Sequence, residues 1–276
     1  MVLEVKILEK TDTRVVFTVH GISTPFANAL RRIMIAEVPT MAIDDVIVVE
    51  NSSAVNDEII AHRLGLIPLK TDLDTYLLPE ECTCHSELGC NRCRVALTLE
   101  ASAGESTRTV YSGEIKSENP EIVPISDKIP IVKLAPGQRI RMELYARLGK
   151  GKMHAKWQPV SVCSYKYFPA INISVKRCDA CGECVAICPK HVLKIVDGKL
   201  KVDNLLQCTL CSECVKRCPK KPPAIKVESE PNAFIFFVES TGALPVERIV
   251  SEAARILLTK VDEFIAQASK LGEPKA

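Results

Sequence analysis

The 276-residue chain has no apolar run near the roughly 18 residues that a membrane-spanning helix needs. It has little excess charge: 36 basic and 34 acidic residues leave +2. That excludes the strongly basic surface of a protein that holds nucleic acid by itself. No phosphate-cradling glycine loop, no flavin or nicotinamide fingerprint and no Ser/His/Asp pattern occurs. The first residues alternate Leu3, Val5 and Ile7 with Glu4 and Lys6, which reads as a strand, not an export signal. These absences point to a cytoplasmic chain without a catalytic site of its own.

One residue type is in excess. Thirteen cysteines in a chain with no export signal point away from a disulfide scaffold and toward metal. Four fall between Cys82 and Cys93, one stands alone at Cys163, and eight crowd into Cys178 to Cys218. The pattern suggests a metal-free scaffold carrying two metal modules.

In the scaffold, Val2 to Leu8 and Arg14 to His20 read as strands. A helix follows: Ser23 or Thr24 can cap it, Pro25 suits its first position, and Phe26, Leu30, Ile33 and Met34 recur on one face before Pro39. A second short helix is expected over Asn56 to Leu64, ended by Gly65 and Pro68. Strand patterns follow at Val95, Leu97 and Leu99 and at Thr109 to Ile115. Pro130 to Leu134 and Arg139 to Ala146 read as a hairpin turning at Pro136-Gly137. Ala233 to Glu239 reads as a further strand. Asp44-Asp45 is read as a turn rather than a catalytic pair, and His20, His62, His154 and His191 as structural hydrogen-bonders.

Near the C-terminus, Val250, Ala254, Leu257, Val261, Phe264, Ala268 and Leu271 recur with alternating gaps of four and three. The charged residues Glu252, Arg255, Lys260, Asp262, Glu263 and Lys270 lie off this seam. It either packs on its own domain's core or receives a partner's helix.

The eight-cysteine block repeats one spacing. Cys178-x2-Cys181-x2-Cys184-x3-Cys188-Pro189 recurs as Cys208-x2-Cys211-x2-Cys214-x3-Cys218-Pro219. Three cysteines at such intervals wrap one iron–sulfur cubane, and the fourth reaches the other cluster. By that rule Cys178, Cys181, Cys184 and Cys218 hold one [4Fe–4S] cluster, and Cys208, Cys211, Cys214 and Cys188 hold the second. Occupancy of both is left open, since one site could be empty or hold [3Fe–4S]. Zinc ribbons would more naturally use isolated pairs of cysteines. Cys82-x-Cys84-x5-Cys90-x2-Cys93 offers four thiolates for one closed tetrahedral zinc site, with His85 able to replace one. A pair of disulfides or an unused vestige are the alternatives there. Isolated Cys163 is expected to be a buried small hydrophobe.

Several scaffold segments resemble a known family. Phe26-Ala-Asn-Ala-Leu-Arg-Arg-Ile33 with Val38-Pro-Thr-Met-Ala-Ile-Asp-Asp45 is similar to the first helix, and the turn after it, of the α-type assembly subunits of multisubunit RNA polymerases. Asp57-Glu-Ile-Ile-Ala-His-Arg-Leu-Gly-Leu-Ile-Pro-Leu69, His154-Ala-Lys-Trp-Gln-Pro-Val160 and Val238-Glu-Ser-Thr-Gly-Ala-Leu244 match further stretches. The cysteines at 82–93 fall where the eukaryotic member carries zinc. The eight-cysteine block resembles a bacterial-type two-cluster ferredoxin, and such an insertion is similar to that of the archaeal, D-type branch of the family.

The resemblance implies an α+β fold: a dimerisation domain split over 1–40, 150–170 and 229–276, a mainly β insert domain at 41–149, and a ferredoxin-like domain at 171–228. It implies a scaffold subunit that pairs with the small subunit L, joins subunits N and P, and docks the large catalytic subunits. It would meet DNA only through that assembly. Arg31 and Arg32 become candidate docking residues, alongside Val250, Ala254, Leu257, Val261 and Phe264 of the seam. The rival readings are a ferredoxin-type electron-transfer protein with a docking domain, which explains the eight cysteines and little else, and an iron- or oxygen-sensing regulator, which the modest charge disfavours.

Overall fold

The computed structural model describes residues 2–84, 86 and 89–270. His85 and Leu271 therefore lie outside the described residues. The described elements are mostly antiparallel strands with few helices, an α+β arrangement. They begin with strands β1 (Glu4–Lys10) and β2 (Arg14–His20), helix α1 (Thr24–Ala36), strand β3 (Pro39–Asn51) and helix α2 (Asp57–Gly65). Strands β4 (Arg94–Ser102), β5 (Arg108–Tyr111), β6 (Ile115–Ser117), β7 (Pro130–Leu134), β8 (Arg139–Lys150) and β9 (Val160–Ile173) follow. The cysteine-rich stretch holds the one-turn helices α3 (Glu183–Ala186) and α4 (Glu213–Lys216) around strands β10 (Leu193–Val196) and β11 (Lys199–Val202). Strand β12 (Ile225–Ser240) and helix α5 (Val246–Ser269) close the described chain.

The chain divides into two compact units. One comprises Met1–Glu9, Val16–Ala27 and Ser164–Phe237; the other comprises Lys10–Val15, Asn28–Cys163 and Val238–Ala276. In sheet order β1-β2-β12-β9, strands distant in sequence become neighbours. Within the first unit the Phe17 ring stacks on Phe236 at 5.1 Å, and Tyr165 meets Phe234 edge-on at 5.4 Å. The β10–β11 ribbon turns through Asp197-Gly198, both at positive φ, between the paired residues Val196 and Lys199. Asp-Gly suits this two-residue turn because both positions need a left-handed backbone.

The second unit is built on the antiparallel sheet β3-β8-β4-β6, with β5 pairing β7. Alternate residues of β8 are buried, among them Ile140, Met142, Leu144 and Ala146, as period-two patterning requires. Leu97 and Leu99 of β4 lie beside Leu144 and Met142 in the same sheet, and Ile60 and Leu64 of α2 join the same core.

Three expectations are corrected here. The stretches 130–134 and 139–146 are strands, but they do not form a hairpin. Gly137, at φ +76°, turns the chain from one sheet to another, since β7 pairs with β5 while β8 pairs with β3 and β4. The expected strand over Thr109 to Ile115 is broken by a helical turn at Ser112–Glu114, which separates β5 from β6. Asp44-Asp45 is no turn: it lies in β3, at a register shift between Ile43 and Asp45. A bulge there turns Asp44 onto Lys156 and Arg147, which both pair with its carboxylate.

That ion cluster explains the His154-Ala-Lys-Trp segment. Lys156 Nζ also donates to the Ile43 carbonyl at 3.1 Å and lies 4.4 Å over the Trp157 ring. Trp157 Nε1 donates to the Arg147 carbonyl at 3.2 Å, and the Thr40 hydroxyl donates to the Trp157 carbonyl at 2.9 Å. A Cβ on Gly149 would come within 2.4 Å of the Trp157 ring, so only glycine lets β8 pass beneath it. The Glu239-Ser-Thr-Gly-Ala-Leu segment forms the turn into α5. The Ser240 hydroxyl donates to the Leu244 carbonyl at 2.6 Å and accepts the Gly242 N–H at 2.9 Å, with Gly242 at φ +96°.

Candidate metal centres and docking surfaces

Cys82 and Cys93 are buried, Cys90 is half-buried and Cys84 is exposed. Their sulfurs converge: Sγ–Sγ is 3.7 Å for Cys82–Cys90, 3.8 Å for Cys84–Cys93 and 3.9 Å for Cys90–Cys93. Four thiolates on one tetrahedral zinc at 2.3 Å would sit about 3.8 Å apart, so the observed spacing fits a single ion. Disulfides would need sulfurs about 2 Å apart, and all four cysteines are free thiols. Gly89, at φ +76°, closes the loop, and a Cβ there would press to 3.2 Å from Cys93 Sγ. Among the described residues this is the only group of three or more ligand atoms gathered within 4.8 Å.

Two of the thiols are shifted in opposite directions. Burial pushes Cys93 up to about 12. The Arg92 backbone N–H, outweighing desolvation, draws Cys90 down to about 7. A bound cation would resolve this uneven set by favouring the thiolate at every position.

The eight-cysteine block is arranged as two related loops. Ala180 and Leu210 occupy equivalent positions at φ 56° and 59°, and Gly182 and Ser212 at φ 87° and 60°. Left-handed residues at matching positions give the two loops the same tight curl. The helices α3 and α4 then carry Cys184 and Cys214.

The cysteines distribute over two cavities. Cys188, Cys208, Cys211 and Cys214 line one, an empty volume of about 390 Å³. Cys178, Cys181, Cys184 and Cys218 line the other, of about 340 Å³. The fourth cysteine of each repeat thus faces the cavity of the other. Backbone N–H groups of Val192, Leu210 and Ala224 donate to Cys188, Cys208 and Cys218 Sγ at 3.5, 3.5 and 3.3 Å. Burial, then the charges of Cys208, Cys211 and Cys188, pushes the Cys214 thiol up to about 11. Cys184 is raised likewise, by burial and then by Cys178, Cys181 and Cys218 among its neighbours. Beneath the loops lies a small apolar core of Cys184, Leu193 and Ile225.

On α5 two faces have separate uses. Val246, Ile249, Glu252 and Ala253 are buried. Glu252 accepts from Arg255 Nη2 at 2.6 Å and faces Arg248 Nε at 3.8 Å. This buried stripe is not the 4–3 seam, which lies roughly a quarter turn round the helix at 3.6 residues per turn. Val250 and Leu257 of the seam are half-buried and Ala254 is exposed. Beyond them Val261 and Phe264 are 46% and 71% exposed, with Leu258 and Ile265 alongside at 62% and 58%. Most of the seam past Leu257 is therefore left uncovered by the described residues.

On α1, Arg31 is half-buried and reaches Asn28 Oδ1 through Nε and Nη2 at 3.2 and 3.0 Å, while Arg32 is exposed. Cys163 is half-buried, donates to the Arg31 carbonyl at 3.7 Å, and is pushed up to about 12 by burial. The histidines are placed apart. His20 lies 5.1 Å from the Phe168 ring and His154 Nδ1 accepts the Lys156 N–H at 3.1 Å, while His62 and His191 are exposed.

Residues 16–261 match a profile of the RNA polymerase Rpb3/Rpb11 dimerisation domain. The chain is 42% identical over 265 residues to the DNA-directed RNA polymerase subunit Rpo3 of Methanosphaera stadtmanae, covering 95% of this chain and 97% of that protein. It is 45% identical over 264 residues to Rpo3 of Archaeoglobus fulgidus, with 96% and 97% covered. It is 42% identical over 269 residues to Rpo3 of Pyrococcus horikoshii, with 98% and 99% covered.

Proposed function

The chain belongs to the RNA polymerase Rpb3/Rpb11 dimerisation family, in its archaeal Rpo3 branch, and from that premise we propose that it is a non-catalytic assembly subunit of a DNA-directed RNA polymerase. Identity spread over nearly the whole length carries this reading, because a ferredoxin-type electron carrier would share only the cysteine block. No helix among the described residues is long and apolar enough to cross a membrane.

The partner is an L-type subunit of the same dimerisation family. The exposed apolar stretch of α5 supports a helix-to-helix contact there. Arg31 and Arg32 on α1 are proposed to face the large catalytic subunits, with subunits N and P completing the platform. DNA is then met only through the assembly.

For the cofactors, Cys178, Cys181, Cys184 and Cys218 would hold one [4Fe–4S] cluster, and Cys188, Cys208, Cys211 and Cys214 the other. The support is the sharing of each cavity between the two repeats. Cys82, Cys84, Cys90 and Cys93 would hold one structural zinc, supported by sulfur spacings that suit a single tetrahedral ion. The bound clusters and the ion supply cross-links between loops. The chain's own residues supply thiolates, N–H groups that bond three of the sulfurs, and the small core beneath.

Co-purification tests the assembly reading. Leu257→Asp with Val261→Asp is expected to abolish recovery of the small partner while the chain itself remains folded. Normal assembly of this double variant would assign the seam no role in dimerisation.

A further inference from the structure

The two cysteine cavities have unequal electrostatic surroundings, and the difference comes from a strand outside the cysteine block. Lys166 lies on β9, half-buried, and its Nζ donates to the carbonyls of Leu206 and Cys208 at 2.6 and 3.3 Å. It also sits 5.6 Å from the Phe237 ring centroid. Among the described residues it has no carboxylate partner within ion-pair distance. An ammonium held by neutral carbonyls has no carboxylate beside it to offset its charge on that loop.

The other lining charges can be counted. Around Cys178, Cys181, Cys184 and Cys218 the lining charges are Asp179 and Lys220, which pair with each other at 2.8 Å and cancel. Around Cys188, Cys208, Cys211 and Cys214 the lining charges are Glu213 and Lys190, again one of each sign, so the difference between the sites is Lys166, which stands behind that lining on the Cys208 carbonyl. Lys190 is exposed and screened by water; Lys166 is the one withdrawn from it.

We propose that Lys166 makes the two iron–sulfur sites inequivalent, raising the reduction potential of the site at Cys188, Cys208, Cys211 and Cys214 above that of its twin. The inference rests on the cluster assignment given above. One-electron reduction of either site adds one negative charge while all four thiolates stay bound. A fixed cation nearby stabilises that added charge, most effectively where water is partly excluded. The same ammonium anchors the Cys208 loop to β9, so the cation cannot drift away as a surface lysine would.

The test is a redox titration of the full chain, purified anaerobically and reduced stepwise with dithionite, followed by low-temperature EPR. The signal lost in Cys208→Ala marks the site in question. Lys166→Gln keeps a donor for the carbonyls but removes the charge. It is expected to move that one signal to lower potential, leave the other in place, and keep the iron content of the unmutated protein. Lys166→Arg is expected to leave both potentials unchanged. Equal shifts of both signals, no shift, or loss of iron from the site in Lys166→Gln would each overturn the proposal; the last would make Lys166 a purely structural anchor. Iron and sulfide content of the unmutated protein is the separate control: fewer than two four-iron sites there defeats the cluster assignment itself.

Discussion

Cys82–Cys93 and Cys178–Cys218 arrange the same sulfur donor in opposite ways. In the first, four sulfurs already crowd to 3.7–3.9 Å. In the second, among the described residues, no three gather within 4.8 Å, and the cysteines ring two cavities instead. One ion draws its ligands to a point, whereas a cubane puts a different iron under each thiolate and holds the sulfurs apart. Their supports differ as well. The four-cysteine loop leads directly into β4 of a sheet with a large buried core, while the eight cysteines stand over a core of three buried residues. The smaller core leaves more of the folding energy to the bound group.

The largest expected effect comes from breaking the crossed sharing of the cavities. Cys178→Ala with Cys188→Ala removes one ligand from each cavity, so both clusters should be damaged and most of the iron lost. One intact four-iron EPR signal in that double variant would mean that each repeat closes on its own fourth cysteine.

An intermediate effect is expected at the other region. Cys93→Ala should release about one zinc per chain by the four-ligand rule and cost about 3 kcal/mol of local stability, the upper end of the ordinary range for one substitution. Hydrogen exchange should rise around residues 78–93 while β4 and β8 stay protected. Iron content should not change. Collapse of the whole β3-β8-β4-β6 sheet would show that the insert core depends on the ion as heavily as the cysteine block does.

The smallest effect compares the two repeats with each other. Gly182 and Ser212 share a left-handed backbone, but only glycine adopts it without strain. Ser212→Gly should stabilise the apo form of its loop by about 1 kcal/mol or less, read as a small rise in its thermal midpoint. A fall would mean that the Ser212 side chain contributes something glycine lacks.

Much of the chemistry was legible in the chain. The repeated cysteine spacing named the four cysteines that line each cavity, because αL residues and one-turn helices of fixed length leave few ways to curl that loop. Strand and helix positions such as 14–20 and 24–36 followed from periodicity, Pro25 and Ser23. The signals that failed were of another kind. Pro136-Gly137 announces a turn but not its destination, and here the chain changes sheets. Asp44 lies in a strand because Lys156 and Arg147, more than a hundred residues on, neutralise its carboxylate. Lys166 carried no local signal at all, since its partners are two backbone carbonyls about forty residues away.

Short-range spacing therefore determined the cysteine groupings, the turns and the apolar faces, as these depend on covalent geometry and side-chain period alone. The tertiary structure decided what those faces meet: β7 with β5, Glu252 rather than the 4–3 seam turned inward, and a lysine from β9 set against one cysteine loop and not its twin. Such choices depend on which distant segments exclude water together, and no local pattern in the chain encodes that.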